Sequence, residues 1–176
     1  LRLWMYGYTR PSAFVDGVIA KRGWVYGFAG QSLRVAFDSL LVYLPVALMG
    51  RVPPTPPAIP IEPESYYWFL VFAAPTIIFV ETLLGALANH GILRALRRES
   101  DLGFLFNLSG MLGLVIGTVI VFTDWASFAV GLGNQYFLGI THLVIDLWAV
   151  YLSVVAMKRR LGVPILLGIG LNVVAV

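Results

Sequence analysis

The chain has 176 residues, of which 59% are hydrophobic and 12% charged, with a net charge of +3 and no cysteine. A soluble domain of this length carries about 25% charge, so these residues cannot form a water-facing surface, and the bilayer is the main solvent. The missing cysteines exclude disulfides, thiolate metal sites and thiol nucleophiles. The basic balance does not point to nucleic acid, because the basic residues flank apolar runs, where membrane topology and anionic headgroups account for them.

The Lys and Arg residues set an orientation. All but Arg34 and Arg51 of the twelve fall in three short segments: Arg2, Arg10, Lys21 and Arg22; Arg94, Arg97 and Arg98; and Lys158, Arg159 and Arg160. Loops that keep Lys and Arg are cytoplasmic, which predicts a cytoplasmic N-terminus and an external C-terminus.

Residues 1–22 read as an amphipathic helix. Pro11 suits a first turn, and Phe14, Val15, Val18 and Ile19 recur at helical spacing. With Trp4, Tyr6 and Tyr8 as headgroup-seeking residues, the segment is expected to lie on the cytoplasmic leaflet, and residues 23–176 form the membrane domain.

The first span is predicted over 24–48. An extended, proline-rich external loop follows over 50–65, with Pro53, Pro54, Pro56, Pro57, Pro60 and Pro63 and the acids Glu62 and Glu64. The second span covers 66–93, anchored by Tyr66, Tyr67 and Trp68 and interrupted by Pro75, which is expected to kink it or open its hydrogen bonds. The third covers 102–122, ending near Trp125, and residues 123–136 form an external loop with Gly131 and Gly133 in turns. The fourth covers 137–157 and stops at Lys158-Arg159-Arg160. A fifth begins at Val163 and is cut off at Val176, so the sequence is expected to be a piece of a longer chain. The prediction is an all-α, polytopic bundle of five transmembrane helices.

Ionisable residues inside a span are expensive and normally face protein or a water-filled cavity. Gln31, Arg34 and Asp38 share a face of the first span; Glu81, Gly85 and Asn89 share one of the second; His142 and Asp146 are one turn apart in the fourth. At about 1.5 Å per residue, Arg34 lies about 15 Å beyond Trp24 and Asp146 about 14 Å beyond Phe137, both close to the midplane. Arg34, Asp38, Glu81, His142 and Asp146 therefore make a candidate midplane polar cluster, either glue that fixes helix register or a relay for protons or a cation. Asn107, Gly110, Gly113 and Gly117 form a small-residue face for helix packing on the third span. His90 and His142 sit on different spans without a third ligand, so no metal is expected. No hydrolase elbow, phosphate-loop or dinucleotide glycine pattern occurs, so neither a cofactor nor a catalytic site is expected.

The order of parts resembles the Yip (Ypt-interacting protein) family of five-span membrane proteins. The lead YTRPSAFVDGVIAKRGW (8–24) is similar to the proline-containing segment before that family's first span. FLGITHLVIDLWAVYLSVVAMKRRLGVP (137–164) is similar to its fourth span, basic turn and start of the fifth. The third span departs from the pattern, since no proline lies between Leu102 and Phe122. The resemblance implies a non-enzymatic interaction protein and carries no functional residue to a position here. The leading expectation is a scaffold or accessory subunit that docks on other membrane proteins, as a hetero- or homo-oligomer, or organises the bilayer. The second is a transport or proton-conducting subunit. Long apolar helices place it in an inner, plasma or endomembrane rather than in an outer-membrane barrel.

Overall fold

In this computed structural model residues 2–53, 59–132 and 135–174 are described. The long apolar runs become helices, because in hydrocarbon a backbone must satisfy its polar groups within its own segment. Helices α1 (Arg2–Thr9) and α2 (Pro11–Ile19) precede a first span built from α3 (Val25–Phe37), a π-helical stretch (Asp38–Tyr43) and α4 (Leu44–Leu48). Then come α5 (Tyr66–Ala95), α6 (Leu102–Ala129), α7 (Gln135–Leu161) and α8 (Ile165–Val174). No strand occurs among the described residues. Of the proline-rich loop, Pro54, Pro56 and Pro57 lie outside the described residues, as does Gly133.

Among the described residues, four helices are long and apolar enough to cross a membrane: Val25–Leu48, Pro63–Ala95, Leu102–Ser127 and Tyr136–Leu161. The fifth span expected over 163–176 is not among them. Gly162, at φ 63°, turns the chain out of α7. Helix α8 then has 10 residues, which rise only about 15 Å. It folds back on α7, with Gly168 against Val154. Helix α5 is continuous through Pro75.

Helix α6 is the axis of the bundle. It touches α3, α5, α7, α1 and α2. The end carrying Arg22, Arg98 and Arg160 is called here the basic end. Helix α1 meets α6 at Val115, about 20 Å in from the start of α6. Helices α3 and α6 run parallel, with Gly27 beside Gly110 and Leu41 beside Trp125. The first span departs from α-geometry for a local reason. Pro45 has no N–H for the carbonyl four residues earlier, and its ring crowds that carbonyl. That carbonyl is Leu41 O, and Trp125 Nε1 donates to it at 2.7 Å. The π-helical widening over Asp38–Tyr43 ends just before Pro45.

The N-terminal segment differs most from expectation. It is two helices folded back at Arg10, so that Leu3 packs on Gly17. Its apolar stripe faces protein: Phe14, Val15 and Val18 are 0–1% exposed and join the core with Phe106, Leu152 and Met157. Gly7 fits against Val115, where an added methyl would approach the Val115 side chain to 2.6 Å. Trp148 Nε1 donates to Gly7 O at 3.0 Å. Tyr8 donates to Val115 O at 2.6 Å and accepts from Trp4 Nε1 at 3.0 Å. Burial pushes the Tyr8 phenol above its ordinary pKa, so the neutral, donating form is kept. Replacing Tyr8 by Phe should cost about 1 kcal/mol, read as a lower midpoint of thermal unfolding in detergent. Were the segment lying on lipid alone, the midpoint would not move.

Candidate functional site

Arg34 and Asp38 face each other one turn apart on α3 and the π stretch, with 3.6 Å between Arg34 Nε and Asp38 Oδ2. Their side chains are 27% and 16% exposed. The Arg34 stem lies across the glycines of α6. A methyl at Gly117 would come within 3.0 Å of Arg34 Cγ, and one at Gly113 within 3.1 Å of both Arg34 Nη1 and Gln31 Oε1. The small-residue face is thus a trough that admits a charged side chain to the bundle interior. Gln31 is fully buried and donates from Nε2 to Ile78 O on α5 at 3.2 Å. Gln31 Oε1, Arg34 Nε and Ser39 Oγ are buried without a hydrogen-bond partner among the described residues.

The same face includes Gly110 and Asn107. Gly110 meets the backbone of Gly27, and Gly30 meets the backbone of Gly110. Asn107 is fully buried and bonds twice across the interface. Its Oδ1 accepts from Gly27 N at 2.7 Å, and its Nδ2 donates to Gly23 O at 2.7 Å. The first N–H groups of a helix have no partner within it. Trp24, at the N-cap of α3, supplies no side-chain cap, so Asn107 caps α3 from a neighbouring helix. Asn107, Gly110, Gly113 and Gly117 are therefore occupied by α3, and this face is not open to a partner protein.

The five midplane residues do not form one cluster. Besides Arg34 with Asp38, His142 pairs with Asp124, its Nε2 lying 2.8 Å from the Asp124 carboxylate. Asp124 belongs to α6, which continues to Ala129, rather than to an external loop. Trp125 thus stands inside α6 rather than at its outer boundary. His90 pairs through Nδ1 with Ser100 Oγ at 2.8 Å.

Glu81 and Asp146 are exposed on the outer surface of α5 and α7. No ion pair or hydrogen bond engages either among the described residues. Glu81 is fifteen residues from the start of α5 (Tyr66–Ala95) and fourteen from its end. Asp146 is eleven residues into α7 (Gln135–Leu161), about 17 Å along it. Asp146 is flanked by Leu143, Val144 and Leu147, which are 59–62% exposed. No group of three or more His, Asp or Glu placed to hold a metal occurs among the described residues.

The described residues define an all-helical fold with four potential membrane-crossing helices. Comparison with protein-family models, curated proteins and solved structures finds no match to this chain.

Proposed function

We propose that the protein is a non-enzymatic scaffold or accessory subunit that docks on other membrane proteins, with its N-terminus in the cytoplasm. The observation that carries this reading is a pair of carboxyl groups without a partner among the described residues, Glu81 and Asp146, on outward faces at mid-helix. An Asp at the centre of a lone membrane helix costs about 2.5–3.5 kcal/mol. Two such groups against lipid would offset much of a stability of about 5–15 kcal/mol. A neighbouring transmembrane helix that presents Lys or Arg at the same depth removes that cost.

The relay reading is less well supported, because the charged groups are divided among separate pairs and two acids without a partner among the described residues. One substitution distinguishes the readings. Asp146→Leu should abolish stoichiometric co-purification of a membrane partner in mild detergent. It should leave the thermal midpoint of the isolated chain unchanged or higher. Loss of proton flux in liposomes carrying Asp146→Asn, with no partner in native membranes, would reverse the assignment.

A further inference from the structure

A half-open cavity of about 730 Å³ lies at the basic end, between the α2–α3 connection, the start of α6 and the end of α7. It is lined by Lys21, Arg22, Gly23, Asp101, Phe104 and Arg160, among others. Its volume falls within the roughly 300–1,000 Å³ of ordinary small-molecule sites.

The charges in it are unequal in kind. Arg160 is already matched: Nη1 donates to Glu99 at 3.1 Å and Nη2 to Asp101 at 3.2 Å. The other Asp101 oxygen accepts from Phe104 N at 3.0 Å and caps α6. Both local acids are thereby engaged. Among the described residues Lys21 has only the face of Tyr26, 4.8 Å from its ammonium to the ring centroid. Arg22 is exposed, and no acid pairs with it among the described residues. Two cations thus face a cavity whose acids are committed elsewhere. Their position is held by the fold. Gly23, at φ 73°, turns the connection, and its carbonyl is tied to Asn107.

We propose that this cavity is a phosphate site, in which Lys21 and Arg22 take a phosphate group and Arg160 completes the rim. The chemistry fits the phosphodiester of an anionic phospholipid headgroup, with Phe104 against its apolar part, and equally a soluble phosphate. Charge-assisted bonds from Arg and Lys to phosphate oxygens are among the stronger polar contacts. The cavity opens where the potential spans end, the depth at which headgroups lie.

The test is native mass spectrometry of the full chain released from micelles doped with equal phosphatidylglycerol and phosphatidylcholine. A thermal-shift titration with inorganic phosphate runs beside it. The doubly substituted K21Q/R22Q chain is compared with R97Q/R98Q, which removes the same charge at the same end but outside the cavity. The expected result is preferential retention of phosphatidylglycerol by the wild type, lowered about tenfold or more in K21Q/R22Q and retained in R97Q/R98Q. Stabilisation by millimolar phosphate that displaces the lipid would assign the same site to a soluble phosphate. Equal losses in the two variants, or no retention and no phosphate shift in the wild type, would overturn the proposal. Arg22 is exposed and Lys21 touches only one ring, so unchanged thermal midpoints without ligand are expected for both variants.

Discussion

Gly110→Val should be the most disruptive single substitution in this chain. Small residues let membrane helices approach until their backbones touch, and here both partners contribute them. A side chain at Gly110 would run into the Gly27 backbone, while one at Gly30 would stand 2.5 Å from the Gly110 carbonyl oxygen. Flexible side chains can swing away from such a clash, but backbone atoms cannot. Helices α3 and α6 would have to separate, and with them the Arg34 trough and the Asn107 bonds. Overpacking of a core costs about 1–3 kcal/mol, occasionally more. A clash of a side chain with immovable backbone belongs at or above the top of that range. In a chain of this size that is a fall of about 10 °C in the unfolding midpoint, or no monodisperse protein at all. Gly139→Ala is the control. It is also a helical glycine, but an added methyl meets nothing within 4 Å, so its midpoint should hold or rise. Equal losses in both variants would mean that α3 and α6 do not pack through these glycines.

The helices were legible because apolar runs of spanning length admit few alternatives, and Gly, Pro and basic clusters mark many of their ends. What each helix touches was not, for reasons visible in particular residues. Phe14, Val15 and Val18 define an apolar stripe in the sequence, but amphipathicity shows only that a face avoids water. Lipid and a protein core satisfy it equally, and here the core covers it. His142 and Asp146 have the one-turn spacing of a pair. Yet the partner of His142 is Asp124 on another helix, and only the register of α6 against α7 reveals it. The glycines of α6 form a visible stripe in the sequence, whereas Gly27 and Gly30, three apart in α3, form none, and only their contacts with Gly110 distinguish them. Pro45 gave the clearest unused signal. A proline inside a span offers no N–H to the carbonyl four residues back, and here an indole on a neighbouring helix donates to it.

Asn107→Leu should come second in effect, and through a different mechanism. The substitution keeps approximate volume but leaves two backbone groups, Gly27 N–H and Gly23 O, without the partners they have at 2.7 Å. An unsatisfied buried polar group costs about 1–3 kcal/mol, which applies to the buried Gly27 N–H, while the Gly23 carbonyl, on an exposed residue, adds less. Asn107→Asp separates the two contributions. Its carboxylate can still accept from Gly27 N–H but has no donor for the Gly23 carbonyl and sets negative charge against it. The Gly27 amide should therefore exchange its hydrogen much faster in Asn107→Leu than in Asn107→Asp, while both lose stability. Similar protection of Gly27 in the wild type and in Asn107→Leu would remove the capping role. The effect should also extend beyond α3. Gly23 follows Lys21 and Arg22 directly, so freeing its carbonyl loosens the connection that carries both cations. Asn107→Leu should then weaken phosphate-headgroup retention with every basic residue still present. A loss of charge at the surface could not produce that result, whereas a displaced binding loop would.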